Sequence, residues 1–304
     1  MGNKTASIFS LIIILAFMGY IIYDASRGSA KPENEEVKSY LNFEADWEVA
    51  ETYSVTDGSL SSVAVAENGK VFIGGDSFVK ALNEDFTELW SLETEEKITA
   101  LAVNGDTVFA ATAETVLIIT PSGKLAGEWG PYEGNSLITS VAATTANVVF
   151  ADAGNKRVFV LDRDGEVQSM MGQGDQKFIV PSPYFDAAMS GNFVYVANTG
   201  MRRIETWNID GSKITEFGEA GTAPGAFCGC CNPAHFAVIP QGFITAEKGI
   251  NRIKIMDRDG HFMEFVSVRN DFNQSVPVDV ASADGTKIFA ANSDDNILYL
   301  FIRK

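Results

Sequence analysis

The chain has 304 residues, 46% of them apolar, and a formal charge of -17 from 40 acidic and 23 basic side chains. That much apolar sequence builds one large core or two ordinary ones, which excludes a disordered chain. The acidic excess excludes nucleic acid as a partner, because binding phosphates needs clustered Lys and Arg.

The first element follows a lone basic residue, Lys4, and runs over residues 8–23 (IFSLIIILAFMGYIIY), sixteen positions without a charge. With Ala6 and Ser7 counted it reaches the lower range of a membrane span, and it exceeds the apolar stretch of a signal peptide. It is expected to be an uncleaved transmembrane helix, a signal-anchor; the alternative is cleavage after Ala30, with Gly28 two residues before it. Lys4 on the short side keeps the N-terminal tip cytoplasmic and exports the rest. Residues 1–23 are therefore expected to be tip and anchor and residues 24–46 a polar linker. The body, residues 47–304, would lie on the periplasmic or extracellular side of an inner (cytoplasmic) membrane. Two partners are expected, the membrane and a protein of the cell envelope.

From residue 47 the sequence repeats at about 37 to 49 residues. Each copy reads as a short apolar strand, a turn, a β-rich strand, a polar loop, a second β-rich strand, and a DG-type turn into a last strand. Residues 138–165 and 184–211 are the plainest pair. Residues 235–260 and 277–304 follow, and two earlier copies start near Ser61 and Ile98. Copies of four strands with two apolar faces are propeller blades, because only neighbouring blades cover those faces. The fold class expected is all-β, a six-bladed β-propeller. The sixth copy ends at its third strand, so residues 47–55 (WEVAETYSV) are expected to supply its outer strand and close the ring.

The third to fifth copies carry a more specific pattern: Asp152-Ala-Gly-Asn155-Lys-Arg157-Val158, then Asn198 to Arg203-Ile204, then Glu247 to Arg252-Ile253. A strand ending in Asp, a small Gly/Asn loop, and Arg before a β-branched residue resembles the NHL repeat. The other three copies lack the Arg. The resemblance implies the propeller fold; it leaves function open, since that group includes lyases, calcium-dependent hydrolases and binding scaffolds. Arg157, Arg203 and Arg252 recur at one blade position and are expected to make structural contacts between blades. Asp164-Gly165, Asp210-Gly211 and Asp259-Gly260 are expected to be hairpin turns.

Between the fourth and fifth copies, Phe227-Cys228-Gly229-Cys230-Cys231-Asn232-Pro233-Ala234-His235 holds all three cysteines and one of two histidines. Three thiols and an imidazole suit copper, zinc or iron, although adjacent Cys230 and Cys231 make joint tetrahedral ligation awkward. A disulfide within the loop, or a reactive thiol, is the alternative. As an inter-blade loop, the segment is expected at the channel mouth. Glu247 and Lys248 lie in the neighbouring loop, where Lys248 would lower a thiol pKa. Aligning the inner strands puts Ser62, Ala100, Ser140, Asp186, His235 and Asp279 at one ring position, so Asp186 and Asp279 are expected to converge with His235, or to bond rim N–H groups.

The function expected is a binding or accessory module with a Cys/His metal or redox site; no nucleophile-elbow or zinc-protease motif points to an enzyme. The alternatives are a hydrolase or lyase using a channel-bound divalent ion, with Asn198 and Asn292 joining the two aspartates, and a protein-protein scaffold with a structural disulfide.

Overall fold

Runs of β-branched and aromatic residues bounded by Gly, Asn and Asp turns fold here into four-stranded antiparallel sheets. The structure, a computed structural model, describes residues 13–20, 43–268 and 271–304. The chain divides into two units, Met1–Asn42 and Phe43–Lys304. In the first, residues 13–20 are helical. The remainder of the expected anchor and most of the linker lie outside the described residues, among which no helix is long and apolar enough to cross a membrane.

The second unit is a six-bladed β-propeller. Blade 1 comprises Leu60–Val65, Val71–Gly75, Phe78–Leu82 and Glu88–Glu93, and blade 2 comprises Ala100–Asn104, Thr107–Ala111, Val116–Ile119 and Leu125–Trp129. Blade 3 is Ile138–Ala143, Val148–Asp152, Arg157–Leu161 and Val167–Met171; blade 4 is Ala187–Ser190, Phe193–Asn198, Arg203–Asn208 and Lys213–Phe217. Blade 5 is His235–Ile239, Gly242–Ala246, Ile253–Asp257 and Phe262–Ser267. Blade 6 joins Asp279–Ala281, Lys287–Asn292 and Ile297–Arg303 to Trp47–Ser54, which pairs antiparallel with its third strand, Trp47 opposite Arg303 and Tyr53 opposite Leu298. The ring closes as the incomplete sixth copy required.

Burial follows from position in the ring. The second and third strands are covered by a blade on each side, so Val71–Gly75 and Phe78–Leu82 are buried throughout. Outer strands such as Glu88–Glu93 sit where blades splay apart and keep polar residues in water. Apolar clusters fill the blade junctions: Phe109 and Val116 meet Phe150 and Phe159 between blades 2 and 3, and Val158 and Met171 meet Phe185 and Trp207 between blades 3 and 4. Trp47 packs with Ile253, Val280 and Phe301, which ties the first strand to blades 5 and 6.

The DG turns are hairpins. In blade 5, Gly260 has φ 85°, and a Cβ there would strike the Phe217 ring of blade 4 at 2.2 Å, so glycine is needed for both conformation and space. The Arg positions are only partly junctional. Arg157 pairs with Glu133 of the loop between blades 2 and 3 at 2.7 Å, and Arg252 donates to the carbonyls of Thr222, Ala223 and Ala226 in the loop between blades 4 and 5. Arg203 departs from the expectation: its partners, Glu205 and Glu216, belong to its own blade. The reason is local, since blade 4 alone places a glutamate two residues after its Arg. Asp152 is fully buried and accepts from Leu137 N, Ser136 Oγ and Asn155, locking the following loop.

Candidate functional site

The first strand of each blade has no strand beyond it toward the axis, so its N–H groups on that edge need other partners. Side chains at one ring position supply several. Ser140 Oγ accepts from Ala187 N of blade 4 at 3.0 Å and donates to Asp186 Oδ1. Asp186 Oδ2 accepts from Phe236 N of blade 5 at 2.8 Å, and Asp279 Oδ2 accepts from Val63 N of blade 1 at 2.9 Å. Each is a staple from one blade to the next. Where the next blade offers only Ala100, the hydroxyl of buried Ser62 has no partner among the described residues.

His235 occupies this ring position in blade 5. Its Nδ1 stands 3.7 Å from Asp186 Oδ2 and 3.7 Å from Asp279 Oδ1. These are ion-pair separations, longer than hydrogen bonds. Burial works against a charged imidazole, but the two carboxylates outweigh it and hold the His235 pKa above its ordinary value. Burial, reinforced by the charge of Asp186 and opposed by His235, pushes Asp279 up to about 6. About a fifth of each side chain, 20% for His235 and 18% for Asp279, remains open to solvent at the mouth. The Tyr184 ring meets His235 edge-on at 6.2 Å, and Lys248 Nζ lies 4.4 Å from the centre of that tyrosine.

The opposite half of the mouth carries one charged side chain, Lys97, whose Nζ is paired with Asp76 at 3.1 Å. Ser61, Thr99 and Thr139 border the opening beside His235 and Asp279. Their protons are committed to the backbone: Ser61 Oγ donates to Ile98 O at 2.5 Å, Thr99 Oγ1 to Thr112 O at 3.0 Å, and Thr139 Oγ1 to Phe185 O at 2.6 Å. What they have left are lone pairs. Below the mouth a channel of about 190 Å³ is lined by the six first strands, with Val141, Phe236 and Val280 among its apolar residues.

The cysteine loop lies on the same face, held by the turn between the second and third strands of blade 5. Asn232 is the clamp. Its Nδ2 donates to Cys228 O at 2.6 Å and Lys248 O at 2.8 Å, and its Oδ1 accepts from Lys248 N at 2.9 Å. Cys228 N donates to Glu247 Oε2 at 3.0 Å. The sulfurs of Cys230 and Cys231 are 3.2 Å apart, Cys230 exposed and Cys231 buried. Among the described residues no three ligand atoms from Cys228, Cys230, Cys231 and His235 fall within 4.8 Å of one another. The expected depression of a thiol pKa by Lys248 does not prevail. Hydrogen bonding and charge repulsion from Cys231 raise Cys230, and the weaker pull of Lys248 does not reverse it.

Glu247 sits beneath the loop rather than beside it. Fully buried, it pairs with Arg252 at 2.8 Å and Lys254 Nζ at 2.9 Å. Against the cost of its own burial, these two cations hold its pKa below the usual carboxylate range. Sequence reasoning missed Lys254. It has no exposed surface, donates to Pro224 O and Ala226 O, and lies 4.4 Å from the Phe227 ring; burial first and the Arg252 charge next push it down to about 8. Its signal was a charge between two isoleucines, Ile253 and Ile255, in a strand that had to be buried.

Asn198 and Asn292 are not channel ligands. Asn198 accepts from Ile179 N and donates to Glu205, and Asn292 accepts from Asp294 N, so both serve loops at the ends of second strands. Elsewhere, Asp257, Asp259 and His261 bring three ligand atoms together on an exposed turn, where Asp257 Oδ1 already accepts from Asp259 N and His261 N. Compared with models of known protein families and with curated proteins, the chain matches none.

Proposed function

We propose that the propeller is a binding module whose mouth receives a small donor-rich cation, an alkylammonium or guanidinium group, between Asp186, His235 and Asp279. The observation that carries the reading is the pair of 3.7 Å contacts from His235 Nδ1 to both carboxylates. A protonated imidazole there is a resident cation that an incoming one replaces, with loss of its proton. The three hydroxyls on the rim agree, since those of Ser61, Thr99 and Thr139 are committed as donors and present lone pairs, and Lys97 on the same rim is neutralised by Asp76 at 3.1 Å. An organic cation suits the site better than a metal ion, because the three charged groups do not bring three ligand atoms within 4.8 Å of one another.

Two further parts of the reading rest on the sequence. The uncharged run over residues 8–23, with residues 13–20 helical, supports an anchor that carries the module on the outer side of the cytoplasmic membrane. The repeated Asp152-to-Arg157 pattern supports placement among NHL-type propellers.

Thermal denaturation at pH 7.5 tests the binding reading. Propylammonium or ethylguanidinium is expected to raise the midpoint of the wild type and not of Asp279→Asn. Equal stabilisation of both proteins, or stabilisation only by propionate, contradicts it; a response confined to calcium or zinc assigns the mouth to a metal ion instead.

A further inference from the structure

The cysteine loop is a second site of a different chemistry. Its backbone is fixed at both ends, at Cys228 by Glu247 and at Asn232 by Lys248. Between those ties Cys230 and Cys231 present their sulfurs 3.2 Å apart, one open to solvent and one seated in the protein.

That separation selects among thiophilic ions. At a metal–sulfur distance of about 2.3 Å, two sulfurs this close subtend an angle of about 88° at the bound atom. A tetrahedral zinc needs them about 3.8 Å apart, and a linear two-coordinate soft ion about 4.6 Å, at the same bond length. A pyramidal trivalent centre has bond angles near a right angle and fits without moving the loop. Cys228 does not complete a three-thiol set, as the three sulfurs do not lie within 4.8 Å of one another. A third substituent must come with the ligand.

We propose that Cys230 and Cys231 form a dithiol site for a trivalent metalloid of the arsenous class carrying one non-exchanging substituent. The step is a condensation without change of oxidation state. Two As–O bonds of R–As(OH)2 break and two As–S bonds form. Each thiol proton leaves with a hydroxide as water, so two waters are released. Loss of the proton as water suits Cys230, whose pKa is raised, and no oxidant or reductant takes part.

Phenylarsine oxide, which is R–As(OH)2 once hydrated, is the probe. Full-length protein is reduced, freed of reductant, treated with one equivalent, and measured by intact mass and by titration of thiols with a chromogenic disulfide. The expected result is one arsenical per chain and loss of two of three titratable thiols. Release should follow addition of a vicinal dithiol but not of an equal concentration of a monothiol. Cys230→Ser and Cys231→Ser should each weaken the adduct at least tenfold, and Cys228→Ser should leave it intact. Because Cys230 is exposed, its variant remains informative if Cys231→Ser fails to fold. Retention in Cys230→Ser, or loss in Cys228→Ser, overturns the assignment to the adjacent pair. Stoichiometric zinc that blocks the arsenical in the wild type overturns the preference for a pyramidal ligand.

Discussion

Nδ1 of His235 and Oδ1 of Asp279 face each other at 3.7 Å across the channel mouth, and both groups hold protons more tightly than in water. Between about pH 4 and 6 folded Asp279 binds protons that the unfolded chain has lost, so stability falls as pH rises through that window. The His235 contribution is complete below its unfolded pKa and is lost as pH rises through its raised folded pKa. Asp279→Asn should therefore flatten the decline between pH 4 and 6. Allowing for the exposed fifth of the side chain, it should gain about 1 to 2 kcal/mol at pH 7.5, less the weakened Val63 contact. Denaturant midpoints across pH check this; an Asn variant with the wild-type slope contradicts it.

Asp186 has a heavier structural duty. Its two oxygens take the Ser140 hydroxyl and the Phe236 N–H, both buried. Asp186→Ala should cost about 1 to 3 kcal/mol by leaving the Phe236 N–H unpaired, because the Ser140 hydroxyl has Ala187 O as a second acceptor at 2.9 Å, while Asp186→Asn should cost less. Urea denaturation distinguishes the two.

Lys254 gives a pH signature of opposite sign. Its folded pKa of about 8 lies below its unfolded value, so the folded state binds fewer protons and stability rises as pH goes from about 8 to 10.5. The rise should approach 3 kcal/mol and vanish in Lys254→Met. Glu247→Gln, which leaves Arg252 and Lys254 buried together, should cost about 3 to 5 kcal/mol at neutral pH. Its loss should also loosen the cysteine loop, read as faster amide exchange at Cys228, whose N–H it accepts.

Ring closure rests on Trp47–Ser54. Trp47 is 2% exposed, with the Arg303 guanidinium 5.4 Å from its ring centre. Trp47→Ala should lower stability by about 3 to 5 kcal/mol. A variant lacking residues 47–54 should unfold with a smaller denaturant slope, because the edge of Ile297–Arg303 opens.

The ring and its closing strand were legible in the sequence because a blade repeats its strand spacing and its DG turn, and because a sixth copy one strand short must borrow one. The ring position of His235 was legible for the same reason: equivalent residues of a closed ring converge. The sequence did not separate the two roles of Asp186 and Asp279. Each oxygen has lone pairs enough to cap an N–H and still face an imidazole, so the structure holds both. The thiols and His235 looked like one cluster because they are near in sequence. The chain turns at Asn232, sending the imidazole to the axis and leaving the sulfurs on the loop. Lys254 escaped notice because its partner, Glu247, lies across a turn and its carbonyl acceptors come from the preceding inter-blade loop.

With two histidines in the chain, the imidazole of His235 can be followed singly by nuclear magnetic resonance, with His261 as an internal reference. Titrating full-length protein from pH 5 to 9, with and without propylammonium, tests the binding reading most directly. His235 is expected to titrate above its ordinary value of about 6.5 in the free protein and at a lower pH when the cation is bound. A His235 that titrates at or below the ordinary value, or that responds to propionate and not to propylammonium, contradicts it.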